Sequence, residues 1–135
     1  LESLPDGAFE GCINLSYIDF PKNLKVIGKN CFKGCVFLDE VEIPQTVTYI
    51  GSNAFDSCQE LETINLSSGI RCLAKNTFRN CILLEEITLP ESIDRISQDV
   101  FVGCEMLKKV NLKKIPSSFH ETTQEQLSGK IVLTK

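Results

Sequence analysis

The sequence predicts an α/β solenoid: a right-handed coil of 23-residue units, each giving one short strand to a parallel sheet and a short helical or 3₁₀ turn to the convex side. Three observations carry this. A phenylalanine returns every 23 residues, at Phe9, Phe32, Phe55, Phe78 and Phe101, with a cysteine three residues after each, at Cys12, Cys35, Cys58, Cys81 and Cys104. Five further apolar columns keep the same period without an insertion, from Leu1, Leu24, Val47, Ile70 and Ile93 to Phe20, Ile43, Leu66, Leu89 and Leu112. In every unit only one stretch alternates apolar with polar residues, and it has the length of a strand.

The unit 38–60, LDEVEIPQTVTYIGSNAFDSCQE, gives the reason for each element. Val41 and Ile43 alternate with Glu40 and Glu42, the period-2 pattern of a strand with one buried face. Pro44 then ends it, as Pro21 and Pro90 do in other units, at a place where the missing N–H interrupts no ladder. The rest, TVTYIGSNAFDSC, is too broken by Gly, Ser and Asn for a long helix and reads as a turn followed by one helical or 3₁₀ turn. A single coil cannot cover its own apolar edge, so stability comes from stacking like columns on like.

Residues 1–112 form five such units, the first incomplete at its N-terminus, and residues 113–135 form a degenerate sixth acting as a C-terminal cap of one continuous domain. In that sixth unit Phe119 keeps the Ile/Leu column, Leu127 the cysteine column and Leu133 the strand column, while Gln124 replaces the spine phenylalanine. Thr122 and Glu125 have capping-box spacing, which predicts a short polar helix and then a strand near 130–134. A start in mid-unit without Met predicts a fragment of a longer protein.

Composition removes whole classes of function. Fourteen basic against eighteen acidic residues, net charge −4, disfavour nucleic acid and anionic membranes. No apolar run reaches the ~20 residues of a membrane span, so direct membrane insertion is not expected. One histidine rules out most metal, nucleophile and proton-shuttle constellations. His120-Glu121-Thr122-Thr123-Gln124 approaches a zinc helix but lacks its second histidine. With no phosphate loop, nucleophile elbow or CxxC pair in the sequence, neither an enzyme nor a cofactor or metal site is expected. The five column cysteines read as a packed thiol ladder, and Cys72 as the thiol most open to solvent.

The pattern LxxIxLPxxLxxIxxxAFxxC, plain at 38–58 with Val41 and Val47 in two of its columns, resembles the BspA-like leucine-rich repeats. The resemblance covers about residues 1–112. Ordinary leucine-rich repeats carry Asn where this chain has Asn23, Thr46, Gly69, Ser92 and Ile115. Departures are the junction Ser67–Ser68–Gly69, which lacks the proline, and Cys31, Thr77 and Val100 where Ala is usual. The resemblance implies a leucine-rich-repeat solenoid, a cell-surface or secreted location, and adhesion to host or matrix proteins.

Outward strand positions are where a protein partner would sit: Tyr17 and Asp19, Glu40 and Glu42, Thr63 and Asn65, Glu86 and Thr88, Lys109 and Asn111. Asp39, Glu62 and Glu85 deepen the acidity, and Lys108, Lys113 and Lys114 reverse it at the far end. Carboxylates stacked at ~4.8 Å raise a negative field that a basic partner would relieve. The opposite side carries Lys33, Asp56 and Arg79. The function expected is therefore a protein-interaction or adhesion module using the concave strand face. The alternative is an intracellular (cytoplasmic) scaffold or regulatory subunit on the same coil, which unpaired thiols permit.

Overall fold

The computed structural model describes residues 2–134, so Leu1, first of its column, lies outside the described residues. A front row of parallel strands runs β3 (Glu40–Glu42), β5 (Thr63–Asn65), β7 (Glu86–Thr88), β9 (Lys109–Leu112) and β11 (Ile131–Leu133). A second row runs β1 (Ser3–Leu4), β2 (Val26–Ile27), β4 (Tyr49–Ile50), β6 (Cys72–Leu73), β8 (Arg95–Ile96) and β10 (Ser118–Phe119). One short helix, α1 (Glu121–Gln126), lies in the last coil. The chain is thus a solenoid of parallel strands with little helix.

Register is set by the period. Glu40 opposes Thr63 and Val41 opposes Ile64, while Ile27 opposes Ile50 in the second row, each pair 23 residues apart. In these pairs like column therefore lies on like column, and inward residue meets inward residue. The second row is a correction to one strand per coil. Its strands are two residues long in every coil, too short for an alternation to show in the sequence.

The stretch between second row and cysteine also differs from a helical turn. Bonds of the i→i+3 kind do form, as from Ala54 N to Gly51 O (3.3 Å), Asp56 N to Asn53 O (3.2 Å) and Cys58 N to Phe55 O (3.2 Å). The intervening amides point to the next coil instead: Asn53 N donates to Lys75 O (3.0 Å), Phe55 N to Thr77 O (3.0 Å) and Ser57 N to Arg79 O (2.7 Å). Two columns of left-handed residues aim them. Gly7, Asn30, Asn53, Asn76 and Asp99 form one, and Gly11, Gly34, Ser57, Asn80 and Gly103 the other, all at positive φ. A helix cannot continue through a left-handed residue every fourth position, and Gly, Asn and Asp tolerate that geometry best.

Inside, Phe32, Phe55, Phe78 and Phe101 are fully buried and Phe9 partly so. Their rings stack nearly parallel, with centroids 5.3 Å apart for Phe9–Phe32 and Phe32–Phe55, 6.0 Å for Phe55–Phe78 and 5.8 Å for Phe78–Phe101. Stacked aromatic pairs contribute about 0.5–1.5 kcal/mol beyond the area they bury. Phe20 adds an edge-on ring against Phe32 at 5.8 Å.

The two ends depart from the expected register. Tyr17–Phe20 forms no strand and pairs with no neighbour, although Ile18 and Phe20 still pack on the core. In the last coil Ile131, not Leu133, opposes Val110, and Leu133 opposes Leu112 with 60% of its surface exposed. The corner from Leu127 to Ile131 is two residues shorter than that from Cys104 to Val110, closed by Gly129 at φ +80° and a Lys130 N to Leu127 O bond of 2.9 Å. A slip of two keeps the strand's faces, which is why the core tolerates it. The N-cap of α1 is His120, whose Nδ1 accepts from Thr122 N at 3.2 Å, so Thr122 lies inside the helix and forms no capping box with Glu125.

Candidate functional site

Eight of the ten candidate face residues project from the front row, Glu40 and Glu42 on β3, Thr63 and Asn65 on β5, Glu86 and Thr88 on β7, Lys109 and Asn111 on β9. Their inward neighbours Val41, Ile64, Ile87 and Val110 are buried, so strand alternation leaves these side chains outward. All eight are exposed except Asn111, which is half-buried. Tyr17 and Asp19 are also exposed but sit beside β3 on unpaired chain.

The face is continuous. One concavity of about 410 Å³ is lined by Tyr17, Asp19, Phe20, Glu40, Glu42, Pro44, Thr63 and Asn65 among others, and a second of about 490 Å³ by Glu62, Thr63, Asn65, Glu85, Glu86 and Thr88. Tyr17, 69% exposed, stands at the rim of the first with its ring free for contact. Cross-coil amides hold two of the carboxylates in place: Asn65 Nδ2 donates to Glu42 Oε2 (2.7 Å), and Asn111 Nδ2 to Glu86 Oε2 (2.8 Å) and Thr88 Oγ1 (3.1 Å). Lys108 reaches Glu85 at 3.3 Å, so part of the acidity beside the face is offset within the molecule. Exposed pairs of this kind contribute about 0–1 kcal/mol. Glu40 and Glu42 form no ion pair among the described residues.

The opposite side holds a correction. Asp56 is only 2% exposed; its carboxylate accepts from Asn53 Nδ2 (2.8 Å) and Ser57 Oγ (2.9 Å). Of the three charges expected there, Arg79 alone is exposed and Lys33 is half-buried.

The cysteines build a second ladder. Cys35, Cys58, Cys81 and Cys104 donate their S–H to the carbonyls of Phe9, Phe32, Phe55 and Phe78, one coil back, at 3.0–3.2 Å. All seven thiols are free, so a thiol rung, not a disulfide, links each of the first four coils to the next. Burial pushes Cys31 and Cys35 up to about 11 and Cys104 to about 12, and it raises Cys58 and Cys81 as well. Thiolate is the nucleophile, so these thiols are inert at neutral pH. Contrary to the sequence reading, Cys12 is the exposed thiol; Cys72 is half-buried with its Sγ 4.0 Å from Ser97 Oγ. A thiol-specific alkylator should therefore modify Cys12 first, Cys72 next and Cys58, Cys81 and Cys104 last, with all seven released by denaturant. Peptide mass spectrometry gives the order, and early labelling of Cys81 would contradict the ladder.

A hydroxyl column also escaped the sequence reading. Thr46 Oγ1 donates to Leu24 O and Ser92 Oγ to Ile70 O, both at 2.5 Å, tying successive coils where ordinary leucine-rich repeats place Asn. The recurrence of Thr46 and Ser92 in one column was the available signal. Among the described residues no cluster of three or more His, Cys, Asp and Glu is arranged to hold a metal ion, and no helix is long and apolar enough to cross a membrane.

Residues 2–128 match the family model of the BspA type leucine rich repeat region in six copies. No curated protein matches the chain. Among solved structures, a T. pallidum leucine rich repeat protein shares 28% identity at TM-score 0.80, over 83% of this chain and 52% of that one. A leucine rich cell surface protein from Faecalibacterium prausnitzii shares 33% identity at TM-score 0.75, over 86% of this chain and 31% of that one. The pneumococcal vaccine antigen PcpA, 18% identical at TM-score 0.58 over 99% of this chain and 42% of that one, shares the fold. The chain thus spans about half or less of each of these neighbours.

Proposed function

Because the chain belongs to the BspA-type leucine-rich repeat family, we propose that it is a protein-binding module of a cell-surface or secreted protein, engaging its partner through the front strand face. The observation that carries this is the exposed surface of two adjoining concavities from Tyr17 to Thr88, carboxylate-rich, with Lys109 exposed on the next strand. Within each ladder the paired parallel strands pre-order these side chains, which lowers the conformational entropy lost on binding. The partner is a basic protein, with host or matrix proteins as the first class to test; Tyr17 offers an amphipathic aromatic anchor of the kind that dominates interface energetics. A cell-surface role draws support from the Faecalibacterium neighbour, itself described as a leucine rich cell surface protein. The function requires no catalytic step. On this reading α1 and β11, which pairs with β9, lie on the last full coil as a cap.

A second reading, an intracellular scaffold, is favoured by one observation, the seven unpaired thiols. Fractionation of the source cell separates the two.

The binding test is a pull-down of purified matrix proteins and cell extract with this chain, followed by kinetics with the partner obtained. Reversing Glu40 and Glu42 to Lys should slow association about tenfold and flatten its salt dependence, as steering charges act on the encounter rate. Stability should change by about 0.5 kcal/mol or less. An unchanged association rate would remove the front face from the account.

A further inference from the structure

Both strand rows are interrupted at the unit 61–83. The ladders run β1–β2–β4 and β6–β8–β10 in the second row, β3–β5 and β7–β9–β11 in front, and among the described residues none joins β4 to β6 or β5 to β7. The missing bonds are specific. Gly51 N donates to Ile27 O (2.9 Å) and Ser97 N to Leu73 O (3.0 Å), yet Ala74, in the same column between them, makes no such bond. Thr48 N reaches Lys25 O (2.9 Å) and Asp94 N reaches Arg71 O (2.9 Å), and Arg71 has no counterpart. In front, Ile43 N donates to Asn65 O and Leu89 N to Asn111 O, both at 3.0 Å, and Leu66 does neither.

The sequence supplies the cause at this arc. Ser67 stands in the column of Pro21, Pro44 and Pro90, and Gly69 in the hydroxyl column of Thr46 and Ser92. The hydroxyl bond to the preceding coil is therefore made by Ser67, whose Oγ donates to Val47 O at 2.6 Å from two residues earlier than in the other coils. The arc is rerouted, and it exchanges a rigid proline for serine and glycine, which restrict the backbone less.

The turn side is uninterrupted. Asn53, Phe55 and Ser57 bond forward to the unit 61–83, and Asn76, Phe78 and Asn80 bond from it to the next, at 2.7–3.4 Å. The phenylalanine stack opens only slightly, from 5.3 to 6.0 Å, with the ring tilt rising from 8° to 14°.

We infer that the solenoid is built with a joint at Leu66–Arg71: residues 2–65 and 72–134 are two stiff blocks that pivot on the continuous turn-side rungs and so open and close the strand face. The second concavity of that face lies across the β5/β7 gap. If the face binds as proposed, the joint lets its curvature fit the partner; the joint itself stands independently of that reading.

The test is backbone amide residual dipolar couplings of the whole chain, free in solution, in one alignment medium. Two blocks in relative motion need two alignment tensors of unequal magnitude, one for each. A single tensor that fits both blocks as well as two would overturn the joint. The double variant Ser67→Pro/Gly69→Thr restores the column pattern and should bring both blocks onto one tensor. If that variant folds and still needs two, the assignment of the joint to Ser67 and Gly69 is wrong. The wild-type result decides the joint even if the variant does not fold.

Discussion

Truncating Phe55 to Ala should remove about 3–5 kcal/mol of stability, the range for deleting a buried aromatic ring. Phe55 has no exposed surface and is stacked on both sides, by Phe32 at 5.3 Å and Phe78 at 6.0 Å. Its loss leaves a cavity that neither neighbouring coil can collapse into, because each is fixed by the rungs at Asn53, Phe55 and Ser57 and by the Cys58 and Cys81 thiol bonds. Phe9→Ala should cost clearly less, since Phe9 is half-buried and stacks on Phe32 alone among the described rings. Urea denaturation of both variants measures the difference. Equal losses would mean that the rings are not a continuous spine.

Gly51→Ala should also be severe, at about 2–3 kcal/mol, for the opposite reason of overpacking. A Cβ at Gly51 would stand 2.7 Å from Lys29 N and 2.9 Å from Gly28 C, backbone atoms of the preceding coil that no rotamer change can move. The coils must part locally, weakening the Gly51 N to Ile27 O bond. Gly11 provides the contrast. Nothing lies within 4 Å of a Cβ there, so Gly11→Ala meets only the cost of its φ of +75°, about 1 kcal/mol. Thermal melts of the two variants should rank them in that order, and a Gly51→Ala protein as stable as wild type would contradict the close coil-to-coil approach.

What the sequence made legible was what repeats with large side chains. The phenylalanine and cysteine columns and the Val41-type strand positions recur at full strength, and the front row with its outward residues followed from them. What stayed hidden was carried by backbone. Gly7, Asn30, Asn53, Asn76 and Asp99 recur as regularly as the phenylalanines, but residue type alone does not say that their amides turn toward the next coil. The second strand row is only two residues deep in each coil and left no alternation to read. Leu133 matched the strand column by counting, yet the shorter corner at Ser128–Gly129 put Ile131 there. Cys12 shares its column with buried thiols and is exposed because no coil among the described residues lies on its far side.

The face used for binding is tested most directly by reversing charge on one side of the coil at a time and measuring association with a pulled-down partner. The account predicts that Glu40→Lys/Glu42→Lys slows association and flattens its salt dependence, while Lys33→Glu/Arg79→Glu on the turn side leaves both within about twofold of wild type, as neutral surface changes do. Binding that survives the first pair unchanged and is lost with the second would contradict it.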